Sequence, residues 1–157
     1  MGAELRAGPV ISVRGIVNRF GAQVVHDGLD MDVADGEVFG IVGGSGSGKS
    51  VLLRTILGLQ RPQAGTVSLL GRDITQMSSA ELRLAKAGYG VTFQAGALYT
   101  SLNVLQNVQL PMIEYLDLTD RTRDELAMLK VRLVGLPAEA AFKYPSQLSG
   151  GMIKRAA

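Results

Sequence analysis

The stretch GGSGSGKS, running from Gly43 to Ser50, constrains this chain more than any other feature. It fits the pattern G-x-x-x-x-G-K-[ST], and chemistry dictates those residue types. Glycines let the backbone turn inward, so that several N–H groups point at one spot and form a nest for an anion. A helix opening near Lys49 adds the positive end of its dipole. Lys49 reaches the outer phosphates of a nucleotide as a point charge, and the Ser50 hydroxyl is placed to ligate Mg²⁺. The context agrees: the apolar run VFGIV precedes the loop and SVLLRTILGL, with Gly58 near its end, reads as the helix that follows.

Flanking patterns extend this to an α/β fold. VISVRGIVNRF and AQVVHDGLDMDV alternate apolar and polar residues and read as half-buried strands, with ADGE as a turn after them. VFGIV reads as a strand buried on both faces, TVSLLG and YGVTF as further strands, and QRPQAG as a turn. Ser78 and Glu81 have the spacing of a capping box, and Thr122 and Glu125 repeat it. Leu126, Leu129, Leu133 and Leu136 then fall on one helical face. The apolar stretch from Ala95 to Leu116 reads as a helix that kinks or breaks before Pro111. GLPAEAAFKYPSQ reads as a loop with one helical turn. The expected architecture is a small antiparallel layer leaning on a parallel core, with a mostly helical lobe from about residue 103 to 145.

Composition narrows the function classes. With 157 residues, 46% hydrophobic and 19% charged, the chain can fill a core. Sixteen Lys and Arg against fourteen Asp and Glu leave a formal charge of +2, too little to argue for a nucleic-acid surface. There is no cysteine, hence no disulfide frame and no thiolate metal site. No apolar run approaches the roughly 18 residues of a membrane span. The first ten residues, MGAELRAGPV, do not have the pattern of a signal peptide or a myristoylation site, where Arg6 stands in place of Ser or Thr.

Two further stretches carry a resemblance. LSGGM lies about a hundred residues after the glycine loop, and VTFQAGALYTSL lies between them. In this order the three resemble the nucleotide-binding domain of ABC ATPases, and the match covers nearly the whole chain. The resemblance implies a P-loop NTPase fold of the ABC type, divided at about residues 1–93 (nucleotide-binding core and β-subdomain), 94–148 (Q-loop and helical subdomain) and 149–157 (start of the signature helix). It implies ATP and Mg²⁺ as cofactors, held by Gly43, Gly44, Ser45, Gly46, Ser47, Gly48, Lys49, Ser50 and Val51. Phe20 falls where the family stacks an aromatic ring on adenine. Gln94 resembles the Q-loop glutamine that joins the Mg²⁺ and water shell. Ser149, Gly150 and Gly151 resemble the core of the signature motif, which caps an ATP held by a second copy of the subunit. Met152 departs from the glutamine most members carry there, which weakens any hydrogen-bonding role at that position.

FQAGALYTSLNVLQNVQLPM together with LSGGM resembles the ATPase subunits of bacterial Mla-type lipid transporters. That implies a membrane permease docked through Gln94–Tyr115, an MCE-type substrate-binding protein in the same complex, and a position on the cytoplasmic face of the inner membrane. It implies no nucleic-acid partner.

In such proteins the signature helix leads to a second apolar strand ending in Asp, then a catalytic Glu and a switch His. The sequence stops six residues after Gly151, so the expectation is a C-terminally truncated subunit that holds phosphate but does not turn ATP over. Its alternatives are a fragment that only docks on the permease or the product of a decaying gene. VFGIV is then expected to present an unpaired edge and an uncovered apolar face. The single histidine, His26, precedes the glycine loop and by order is not the switch residue; it reads as a strand or surface residue.

Overall fold

The computed structural model describes residues 8–94 and 96–157; Ala95, within the expected Q-loop, and Arg6 lie outside the described residues. The chain divides into two compact units, Met1–Tyr89 and Gly90–Ala157.

The first unit is built on a four-stranded antiparallel sheet in the order β2-β1-β3-β4. Its strands are β1 (Ile11–Phe20), β2 (Gln23–Val33), β3 (Ala64–Leu69) and β4 (Arg72–Asp73). The alternation that marked β1 and β2 works as expected: Val13, Ile16 and Val67 are fully buried and meet Leu52 and Ile56 of α1 (Lys49–Ile56). Side chains of this size each stabilise the fold by roughly 1.5–3 kcal/mol on full burial. The register of β1 against β2 shifts between Val13 and Ile16, where Gly15 takes φ +59° and donates its N–H to Asp30 at 2.6 Å. That irregularity turns Val13 and Ile16, three residues apart, onto the same buried side. Arg14 pairs with Asp32 across the strands at 2.6 Å.

Helix α1 ends at Leu57 and Gly58, whose φ of +63° and close approach to Leu82 require glycine. Helix α2 (Ser79–Lys86) starts with the expected capping box: Ser78 Oγ accepts from Glu81 N–H, and Ser78 N–H donates to the Glu81 carboxylate at 2.8 Å.

Two expected strands do not form. Residues 38–42 and 89–93 carry no strand pairing, and among the described residues every pairing is antiparallel, so the parallel core is not seen there. A strand needs a neighbour for its backbone N–H and C=O groups, and no described strand lies beside these segments. The apolar face of 38–42 is uncovered as expected: Val38 is 100% and Val42 92% exposed.

The second unit packs α3 (Val104–Tyr115) and α4 (Asp120–Leu133) around Val104, Val131, Leu136, Ala140 and Ala141. Helix α3 starts later than its apolar run suggested and continues through Pro111 to Tyr115. A reciprocal cap of Asn103 and Gln106 and the packing on α4 outweigh the one hydrogen bond that proline removes. Helix α4 begins at Asp120, ahead of the Thr122 expected from spacing, because the Thr119 side chain caps it by accepting from Thr122 N–H. Its buried face is Ala127 and Val131, with Leu129 half exposed and Leu133 more so; of the expected leucine stripe only Leu136, beyond the helix end, is fully buried. Small and β-branched residues sit closest to α3, and the long leucines flank them. The following loop holds two 3₁₀ turns, Ala138–Phe142 and Pro145–Gln147, one more than expected. Helix α5 (Gly150–Ala156) closes the unit.

Candidate functional site

The glycine loop stands in the first unit between residues 38–42 and α1. Gly46 and Gly48 take φ of +79° and +90°, a region L side chains rarely adopt, and Gly48 is the N-cap of α1. A side chain on Gly43 would meet Ser47 Oγ at 2.8 Å, so the Ser47 hydroxyl would have to turn aside to admit one. Lys49 folds back across the curl. Its Nζ donates to Gly43 O at 2.8 Å, Gly44 O at 2.6 Å and Ser47 Oγ at 3.2 Å. The ammonium thereby holds the loop in shape with all three of its protons, through bonds worth about 1.5–3 kcal/mol each where a charge is involved. Ser45 lies in the turn of the loop, and Ser50 is exposed in the first turn of α1.

Phe20, Gln23 and Val25 from the β1–β2 hairpin line one cleft of about 300 Å³ with Gly46, Ser47, Gly48, Lys49, Ser50 and Val51. Phe20 is half exposed and ends β1, where it pairs with Gln23. The cleft therefore presents an aromatic face at one side and the curled loop with its ammonium at the other. That is the arrangement for a ligand with a flat ring and an anionic tail. Gln23 and Val25 were not singled out in the sequence; nothing but strand register puts them here.

Beneath the loop lies a buried polar chain. His26, 8% exposed on β2, approaches Asn18 Oδ1 through Nδ1 at 3.2 Å. Asn18 Nδ2 donates to Thr55 Oγ1 at 3.3 Å, and Thr55 Oγ1 donates to Val51 O at 2.9 Å. Burial pushes the His26 imidazole below its ordinary value, toward the neutral form. His26 is thus a strand residue, as expected, and buried rather than on the surface.

In the second unit, Gln94 is exposed in a turn closed by Gly96 N–H donating to Phe93 O at 2.9 Å. Gly96 has φ +85°, and a side chain there would meet Ile153 of α5 at 2.8 Å. Ser149 caps α5, its hydroxyl accepting from Met152 N–H at 3.3 Å. Gly150 and Gly151 are exposed, with open space around both. Met152 packs against the core of the unit, which accounts for an apolar residue in place of glutamine. A hollow of about 520 Å³ is lined by Phe93, Leu98, Tyr99, Val108, Pro111 and Met112 among others.

Residues 26–157 match the profile of the family described as ABC transporter. The probable ribonucleotide transport ATP-binding protein mkl of Mycobacterium leprae is 38% identical over 149 residues, 95% of this chain and 43% of that protein. The intermembrane phospholipid transport system ATP-binding protein MlaF of Haemophilus influenzae is 36% identical, over 94% of this chain and 56% of its own length. The methionine import ATP-binding protein MetN of Streptomyces griseus is 45% identical over 135 residues, 82% of this chain and 37% of that protein. The chain thus spans about half the length of the curated relatives it matches, or less. Among solved structures, the dimeric ATP-binding cassette MJ0796 in a post-hydrolysis state with ADP and Pi superposes with a TM-score of 0.82. That match has 27% identity and covers 93% of this chain and 68% of the cassette.

Proposed function

The chain belongs to the ABC transporter family, and from that premise we propose that it forms the nucleotide-holding part of an ATPase subunit that powers lipid transport across a bacterial envelope. The observation that carries this is the single cleft shared by Phe20 and the curled loop around Lys49. Adenine stacks on the Phe20 ring, and the phosphates lie on the N–H groups of Gly46 to Val51 with Lys49 on the outer ones. The loop suits Mg²⁺ in the usual way of such loops: the Ser50 hydroxyl, exposed in the first turn of α1, would hold it. When bound, the ion neutralises charge developing on the phosphates.

Outside the cleft, Ser149, Gly150 and Gly151 face the nucleotide of a second copy, and Gln94–Tyr115 docks a membrane permease that works with an MCE-type binding protein. The apolar hollow beside Tyr99 and Met112 supports that docking stretch. Among the described residues no helix is long and apolar enough to cross a membrane. The proposed place on the cytoplasmic face of the inner membrane comes through the permease.

ATP binding is measured by calorimetry on the full chain and on Lys49→Ala. Micromolar-range binding lost in the variant supports the reading; binding that ignores the substitution sinks it. The cargo is read from the permease complex: phospholipid retained through purification supports the lipid assignment, which the MlaF relative favours. A second reading, amino-acid import, is favoured by the higher identity to MetN over its shorter span. Methionine uptake dependent on Lys49 would select it.

A further inference from the structure

His26 has no part in the nucleotide chemistry described so far, yet it touches the loop that does. A side chain on Gly48 would meet His26 Nε2 at 2.7 Å and Cε1 at 3.1 Å, so the ring edge lies flush against the residue that opens α1. The other edge of the ring is tied down. The Thr55 hydroxyl has Val51 O at 2.9 Å and Asn18 Oδ1 at 3.4 Å as acceptors and itself accepts from Asn18 Nδ2; Asn18 Oδ1, which can only accept, takes its hydrogen bond from His26 Nδ1–H. The proton is thereby fixed on Nδ1, and Nε2 faces Gly48 with a lone pair. Asn18 and Thr55 are 0% and 1% exposed, so the chain of bonds is shielded from competing water. It joins β2 to β1 and β1 to the last turn of α1 at Thr55, whose hydroxyl bonds back along the helix to Val51 O, one turn from Lys49 and Ser50.

We propose that His26 is a positioning residue for the phosphate loop, its ring braced on Gly48 and anchored through Asn18 and Thr55 so that Lys49 and Ser50 are presented in place. The inference rests on the nucleotide-binding reading above. The brace holds the left-handed turn at Gly48 before ligand arrives, which lowers the ordering needed on binding.

The test is ATP affinity of the full chain, with Tm followed in parallel, for His26→Leu, His26→Asn and Thr55→Val. Leucine keeps the bulk and loses the donor, asparagine keeps a donor near the Nδ1 position, and valine keeps the shape of Thr55. The expected result is roughly tenfold weaker binding in His26→Leu and a several-fold loss in Thr55→Val, with partial recovery in His26→Asn. Affinity should fall at temperatures where each variant is fully folded. Wild-type affinity in both folded His26→Leu and Thr55→Val overturns the proposal; if His26→Leu does not fold, Thr55→Val alone decides. Lys49→Ala separates the two readings. No ATP binding by the wild-type chain removes the nucleotide reading and this proposal together. Binding that is lost in Lys49→Ala but unchanged in the folded brace variants removes only the brace.

Discussion

The imidazole of His26 and the backbone of Gly48 are in contact: a Cβ on Gly48 would fall 2.7 Å from His26 Nε2 and 2.6 Å from Val25 Cγ1. The contact is possible only because residue 48 has no side chain, and its φ of +90° independently disfavours one. Gly48→Ala is therefore expected to destabilise the first unit by about 2 kcal/mol, combining the left-handed penalty with overpacking. It should also abolish ATP binding under conditions where circular dichroism still shows a folded chain. A folded variant with normal affinity would mean that the loop tolerates a different turn.

The same histidine sets a pH dependence. Burial holds its folded pKa below the ordinary 6.5, so the unfolded chain takes up the proton first as pH falls. Its contribution is fully present above about pH 6.5 and is lost progressively as the pH drops from there toward the lower folded value. Asp32, held below its ordinary 3.8 by its hydrogen bond with Arg14, acts in the same direction but only in the carboxylate range. Thermal unfolding of the wild-type chain should show a loss of Tm between pH 7.5 and 5.5 that is absent or much reduced in His26→Leu. Equal slopes in the two proteins would assign the loss to other groups.

What was legible in the sequence divides along a physical line. The curled loop, the hairpin strands and the box at Ser78 and Glu81 were readable because each is specified by neighbours in the chain. The strand at VFGIV was not, since a strand is completed by a partner elsewhere, and Val38 and Val42 meet none among the described residues. The stripe on α4 misled for a related reason. Periodicity marks a face, but the partner helix selects Ala127 and Val131 over the larger leucines beside them. Phe20 was singled out by its order along the chain and lines the cleft with the loop, while Gln23 and His26 reached it through strand register. Met152, a departure from its family's usual glutamine, is explained only by the core it packs on.

Gly65 offers a test of the sheet that carries the hairpin. It has φ +90°, and a side chain there would lie 2.5 Å from both Arg14 O and Gly15 O. These are backbone atoms that no rotamer change can move aside. Gly65→Ala should cost about 2 kcal/mol or more, read as a lower urea midpoint with an unchanged slope. Gly44→Ala, where a side chain meets nothing within 4 Å and φ is not left-handed, is the matched control for stability. A Gly65→Ala midpoint equal to that control would show that β1 and β3 can separate at this point without loss.

Asn107 is the hinge pin of the second unit. Its Nδ2 donates to Tyr99 O and Leu102 O at 3.1 Å and to Asn103 O at 3.0 Å, and its Oδ1 accepts from Tyr99 N–H at 2.8 Å. One buried amide therefore fastens the stretch from Tyr99 to Asn103 onto α3. Asn107→Ala leaves Tyr99 N–H and Leu102 O without this partner, while Tyr99 O and Asn103 O keep the backbone N–H groups of Leu102 and residue 107. The expected loss is about 2–3 kcal/mol. Because the bonds are local, amide exchange should accelerate first at Tyr99 and Leu102, while Val131 and the body of α4 keep their protection. That stretch lies within the proposed permease-docking segment, so capture of the permease should weaken even where the variant remains folded. Uniformly faster exchange across the unit would instead make Asn107 a general core residue. Unchanged capture would move the docking surface away from the loop it secures.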